Sequence, residues 1–352
     1  MLNFCLTPQP QRANPNPVIT NLLEGYTDAK LKSSTKLQDE EIGHIKPEKI
    51  FAFDFHYDYK CKSTDMCGST NQLIVSTQDS IILVPPSDYK SVHTVYEDPL
   101  AKIGAVRCLE ENLIAFGSKD AIVVFDLDAQ KTIRLFKLKG TGMASHTVIE
   151  PTSKTHNIFA GSSNGLVHTI DLSCKNALIS QSRFFDSCVM DIKYKDGHMA
   201  CCGLQESIKV FDIRAEASLL KRHIELEYVS SIAWVSQSAI AYPKAYDNMI
   251  EVFDIFSNTT KTIRSRGSSM ALSVIADCRE FVNFPSWNGI GYFEIHRFSG
   301  GEWKCRTFSF EDSIVVYGHV YNDKSKLVVF DYTKEMFVFD TKTIFDSKSV
   351  CK

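Results

Sequence analysis

No apolar run in this sequence of 352 residues approaches the roughly 20 residues that a membrane-spanning helix requires. The opening MLNFCLTPQPQ has too short an apolar stretch and too early a proline for a secretory signal. Charge of one sign is scarce as well. The net charge is -3 with a pI near 6.4, so no global field is present to hold a polyanion, and nucleic-acid binding is unsupported. Cysteine is present, at 11 residues, but the count is odd and the residues are scattered. Cys61 and Cys67 flank a polar loop, Cys201 and Cys202 are adjacent, and no disulfide framework is visible. Neither these pairs nor the 10 histidines have metal-ligand spacing, so no metal is expected. Buried thiols in a reducing compartment, cytoplasmic or nuclear, are the simpler reading.

Catalytic signatures are equally sparse. There is no Walker or dinucleotide fingerprint, and hence no implied cofactor. The acidic residues that end apolar runs are dispersed, leaving no recognisable carboxylate pair for hydrolysis. Residues 161 to 165, Gly-Ser-Ser-Asn-Gly, satisfy GxSxG. A hydrolase elbow needs a strand-to-helix turn, whereas this segment joins two apolar runs through Asn-Gly, which suits a tight hairpin. No catalytic residue is assigned.

The chain does have apolar material, 44% of its residues, with 23 phenylalanines, enough for a large core. That material recurs. Short apolar runs bracketed by turn formers end at Pro85, Asp126, Asp171, Asp212, Asp254, Glu294 and Asp340, a period of about 42 residues. Upstream of each lies a second run: QLIVS, NLIAFGS, NIFAGSS, HMACCG, SAIAYP, EFVNFP and KLVVF. Turn residues such as Asn164-Gly165 and Asn288-Gly289 separate the two, so each unit contains a hairpin. Flanking segments, for example GAVRCLE and KTIRLFKL, bring the count to four strands per unit. Seven such units read as an all-β propeller, whose middle strands are covered on both faces and therefore lack polar alternation. The terminal aspartate marks where the chain leaves the sheet for a turn.

With Phe-Asp at 125–126, 211–212, 253–254 and 339–340 where Trp-Asp is usual, the unit resembles the WD repeat. The Gly-His hallmark of that family is missing from most units, although Gly43-His44 before IFAFDFH fits. The resemblance implies a seven-bladed propeller over residues 50–352. Residues 1–49 form an N-terminal arm or linker that supplies the ring-closing strand to the sheet holding Phe337 to Asp340. Lys131, Arg134, Lys137 and Lys139 fall on an outer strand, where lysine discourages edge-to-edge association.

Function follows from the platform. Rigid sheets carry variable face loops, so the expectation is a noncatalytic adaptor or scaffold subunit binding one or more proteins in a multisubunit intracellular complex. On the face of the hairpin turns, Tyr246, Trp287 and Tyr332 are candidate aromatic anchors, and Arg183 and Arg266 charged ones. Two further resemblances bear on partners. IKVFDIR, ending at Arg214, is similar to the WDxR box of substrate receptors of cullin-RING ubiquitin ligases, which implies a ligase-adaptor contact at Asp212 and Arg214. TIRSRG is similar to the paired-arginine motif of phosphoinositide-binding propellers, which implies as an alternative function a propeller binding phosphoinositides at a membrane surface. Here, however, Ser265 separates Arg264 from Arg266, so an extended strand would point both the same way, and that departure argues against lipid binding.

Overall fold

The computed structural model describes residues 43–44, 49–52, 63–67 and most of 72–340, and every regular element among them is a β-strand. The strands group into seven sheets among the described residues. In chain order the sheets begin with the strands Ser63–Cys67, Val106–Glu110, His146–Pro151, Val189–Lys195, Ala233–Trp234, Ser268–Ile275 and Val315–Val320. We number the sheets 1 to 7 accordingly. In each, consecutive strands pair antiparallel. The second and third strands are the apolar runs seen in the sequence, as in Leu113–Gly117 with Ala121–Asp126 and His198–Gly203 with Ser207–Asp212.

Both faces of those strands are covered. Phe116, Val123 and Phe125 of sheet 2 pack with Ile74, Ile81 and Leu83 of sheet 1. The alternate residues Ala115, Ile122 and Val124 pack with Ile149, Ile158 and Ile170 of sheet 3. Because successive side chains point to opposite faces, each strand feeds two clusters, and the apolar material forms layers between sheets instead of one centre. The phenylalanine of each Phe-Asp pair faces the preceding sheet: Phe125, Phe211, Phe253 and Phe339 all do so.

Polar contacts fix the register between neighbouring sheets. Asp65 Oδ2 accepts the Cys108 amide at 2.7 Å, Glu150 Oε1 that of Tyr194 at 3.2 Å, and Asp191 Oδ2 that of Ile232 at 3.1 Å. Trp234 Nε1 donates to the Lys193 carbonyl at 3.1 Å. Each bond spans one repeat of sequence, 41 to 44 residues.

Local turn chemistry shapes the hairpins. At Asn164-Gly165, glycine adopts φ +83°, and a Cβ there would fall 1.8 Å from the Phe185 carbonyl oxygen. The Ser162 hydroxyl is buried and held between Asn164 Oδ1 at 2.6 Å and the Leu166 carbonyl at 3.0 Å. It is a turn residue on an antiparallel pair. Where the runs end, Asp126 Oδ1 accepts the Ala129 amide at 2.9 Å and Asp171 Oδ1 that of Ser173 at 2.8 Å. Asp254 Oδ1 accepts those of Phe256 at 2.9 Å and Ser257 at 2.8 Å.

Two features depart from the sequence expectation. Lys49–Ala52 is the outer strand of sheet 7, antiparallel to Glu335–Asp340 with Ile50 opposite Phe337. Residues 50–52 thus belong to the strand, expected from the N-terminal arm, that closes this sheet, with only Lys49 falling before residue 50, and Gly43–His44 runs parallel to Phe308 and Ser309 of sheet 6. The physical reason is an open edge: after Asp340 the chain reads TKTIFDSKSVCK, mostly polar, whereas Ile50 and Phe51 suit a strand. In sheet 6, moreover, the run ending at Glu294 does not stop. Its strand continues as Gly291–Ser299, because Ile-His-Arg-Phe follows and the turn formers Ser299-Gly300-Gly301 come only later.

Candidate protein-docking site

Antiparallel connectivity places the turns between second and third strands, and the linkers between sheets, at one end of the strands; the remaining turns lie at the other. Of the expected anchors, Arg183 and Arg266 lie at the first end. Tyr246, Trp287 and Tyr332 lie outside the described residues. Arg183, exposed at the end of strand Leu178–Arg183, donates from Nη1 to the Asn164 carbonyl at 2.7 Å, across the hairpin turn of its own sheet.

Arg266 is turned inward. Its amide donates to Glu294 Oε1 at 2.7 Å and its Nε to Thr307 Oγ1 at 3.1 Å. Asn283 Nδ2 adds bonds to Glu294 Oε2 at 2.8 Å and Ser265 Oγ at 2.9 Å. Burial alone would raise the Glu294 carboxyl. The contacts from His296, the Arg266 amide and Asn283 outweigh that and hold it below its ordinary value. Arg264, by contrast, is exposed at the end of strand Thr259–Arg264. The strand stops there, so the two arginines part instead of pointing the same way.

The opposite end carries a built arrangement. Asp212 ends strand Ser207–Asp212, and its carboxylate takes Arg214 from three directions: the amide at 3.1 Å, Nε at 2.9 Å and Nη2 at 2.7 Å. These bonds hold the Asp212 carboxyl well below the usual carboxylate range and push the Arg214 guanidinium up. The turn Asp196-Gly197, with φ 47° and 82°, suits a tight hairpin needing positive φ at both centres. It backs the arginine so closely that a Cβ on Gly197 would come within 2.5 Å of Arg214 Cδ and Cγ. Despite this fixing, the Arg214 side chain is 62% exposed.

His198 extends the patch to the next sheet. It is 4% exposed, with Nε2 3.4 Å from Arg214 Nη2. Its ring lies 6.4 Å from Trp234 and 6.0 Å, edge-on, from Phe256 of sheet 5. Phe256 is 69% exposed. A fixed cation beside a solvated aromatic ring is the chemistry that dominates protein interfaces, and nothing in it activates a nucleophile. Elsewhere the thiols of Cys201 and Cys202 are buried, and burial pushes both up, away from reactivity.

The sequence motif singles out Asp212 and Arg214; Phe256, His198 and Trp234, which the structure gathers around them, carry no comparable motif. Phe256 sits among the turn formers after Asp254, in IFSNTT. An aromatic residue where a turn needs none was the available signal.

No protein-family model and no curated relative matches the sequence. Solved structures do match. A chain in the crystal structure of the mitotic checkpoint complex aligns with TM-score 0.73 at 14% identity, covering 96% of this chain and 99% of that one. The structure of U3-55K aligns at 0.66 and 9% identity, covering 81% and 92%. The RRP9 WD40 repeats align at 0.66 and 9%, covering 83% and 92%. The fold is therefore that of the WD40 propellers.

Proposed function

We propose that this chain is a noncatalytic propeller subunit that docks protein partners in an intracellular complex through the patch of Asp212, Arg214, His198 and Phe256. The observation that carries the reading is an arginine locked by its own aspartate, backed by a glycine turn, beside a phenylalanine left 69% exposed. Such preorganisation lowers the ordering cost of binding. The matching partner surface offers an apolar side chain to Phe256 and a hydrogen-bond acceptor to the outer edge of Arg214. One solved neighbour is a chain of the mitotic checkpoint complex, which supports work inside an assembly. The described cysteines are free thiols, in keeping with the cytoplasm or nucleus.

The test is affinity purification of the full chain with mass spectrometry, beside a Phe256→Ala/Arg214→Ala variant. Loss of a discrete set of partners in the variant is the expected result. An unchanged set would remove the patch from the account.

A second reading is specific to the Asp212–Arg214 pair, namely a substrate receptor of a cullin-RING ligase, with this pair against the ligase adaptor. It predicts ligase subunits among the partners lost on Arg214→Ala alone. A lost set without them leaves the broader scaffold role standing and removes this narrower one.

A further inference from the structure

Sheet 6 contains a second convergence of functional groups, at the opposite pole of chemistry from the docking patch. His296 lies directly across from Cys305 in the hairpin of Gly291–Ser299 and Glu302–Glu311, and Glu294 precedes His296 by two residues on the same face of the strand. His296 Nε2 is 3.2 Å from Glu294 Oε2 and 3.9 Å from Cys305 Sγ, and one donor atom from each of the three residues lies within 4.8 Å of the others. Glu294 and His296 are fully buried, and Cys305 is half-buried.

The geometry argues against an acid–base relay. A thiol–imidazole–carboxylate relay places the nucleophile on one ring nitrogen and the orienting carboxylate on the other. Here carboxylate and sulfur meet the same nitrogen, and His296 Nδ1 has no hydrogen-bond partner among the described residues. Three donors directed at one point are the arrangement of a coordination sphere. For ligand bonds of about 2.0 to 2.3 Å, a tetrahedral ion sets donor-to-donor edges of about 3.3 to 3.6 Å. The nitrogen–oxygen edge is already at that length, the nitrogen–sulfur edge is a few tenths of an ångström longer, and the oxygen–sulfur pair, within 4.8 Å, closes by about 1 Å as the half-buried Cys305 side chain turns toward the ion. Surrounding groups hold the ligands: Asn283 Nδ2 and the Arg266 amide orient the Glu294 carboxylate, and the Phe281 ring stacks on His296 at 4.8 Å and 14°, the kind of outer support metal ligands need.

We propose that Glu294, His296 and Cys305 bind one divalent transition-metal ion of the zinc type, with the fourth position open toward the half-buried side of Cys305. One sulfur, one nitrogen and one oxygen suit zinc, while three ligands with a single oxygen do not suit calcium or magnesium. Binding replaces the thiol proton of Cys305, which leaves to solvent, and requires His296 Nε2 free of its proton, so that the neutral imidazole carries its one proton on Nδ1.

Cobalt(II) added to the chelator-stripped full chain reports the site directly. The expected result is one ion per chain, with visible ligand-field bands, a near-ultraviolet thiolate charge-transfer band, and displacement by zinc. Cys305→Ser removes the charge-transfer band and weakens binding at least about tenfold, whereas Cys174→Ser, at an exposed cysteine, changes neither. A measurement without substitution runs in parallel: zinc slows maleimide labelling of Cys305, read by peptide mass spectrometry. A folded wild-type chain that takes up no cobalt or zinc, a band that survives in Cys305→Ser, or labelling of Cys305 indifferent to zinc would each overturn the assignment.

Discussion

Sheets 5 and 6 share one sequence signal and put it to different uses. Phe253-Asp254 and Phe293-Glu294 look equivalent in the sequence repeat, yet Phe253 is buried against the preceding sheet 4 and Phe293 against the following sheet 7. The acids then diverge. Asp254 ends its strand, takes two amides of the turn and accepts the Ser238 hydroxyl at 2.6 Å. Glu294 sits inside a strand that runs on to Ser299, completely buried, with its carboxylate bonded across two neighbouring elements. A position in the sequence repeat therefore does not fix which face a side chain takes; the length of the strand, set by the residues that follow, decides that and whether the acid meets water. The same residue class that punctuates sheet 5 organises a buried polar network in sheet 6.

Several measurements would break or sharpen this contrast. The largest effect belongs to what the two sheets share. Phe253→Ala and Phe293→Ala each remove a buried ring, and each is expected to cost about 3 to 5 kcal/mol, read as a drop in the urea midpoint. A large cost at one and a negligible cost at the other would show that only one of these two inter-sheet layers holds the fold together. Next comes the acid itself. Glu294→Ala strands Asn283 and the Arg266 amide in the interior and should cost about 3 kcal/mol. Asp254→Ala exposes turn amides to water and should cost about 1 kcal/mol. Equal losses would erase the distinction between a buried acceptor and a turn cap.

Acid should then act on both sheets in the same direction. Burial pulls the Asp254 carboxyl up, but the bonds from Ser238, Ser257 and Phe256 prevail and hold it below its ordinary value; Glu294 is held low as well. Groups depressed in the folded state contribute stability that is complete above the ordinary carboxylate pKa of about 4 and is lost as pH falls through the folded values. The urea midpoint should drop as pH falls below that range, after an earlier loss from His168, whose burial holds it below its ordinary value, and the low-pH drop should be shallower in Asp254→Asn. An unchanged acid limb in that variant would deny the cap its role. The smallest effect on stability is expected at the surface. Arg214→Ala should move the midpoint by no more than about 0.5 kcal/mol, leaving partner loss as its measurable consequence. A major loss of stability would make the Asp212–Arg214 pair a structural clamp instead of a docking element.

Much of the architecture was readable in advance because its causes are local. Asn164-Gly165 announces a hairpin by conformation alone, and AIVVFD between turn formers announces a strand buried on both faces. In sheet 6 the acid that closes the apolar run does not close its strand, because the strand-forming residues 295–298 follow Glu294 and pair on to Ser299. The site was legible only in part. Asp212 and Arg214 stand two residues apart, and their bond follows from that spacing. Phe256 reaches His198 from another sheet, and the Arg266 side chain reaches Thr307, 41 residues on, while its amide bonds a carboxylate whose burial no local pattern foretells.

Hairpins, their apolar faces and their aspartate caps thus belong to the sequence by itself, since each depends on residues within a few positions of one another. The packing of one sheet on the next decided the rest: which acid is buried, which arginine turns inward, and which aromatic ring stays in water beside a fixed cation. Those outcomes depend on side chains about one repeat apart, and only the folded stack brings them within reach.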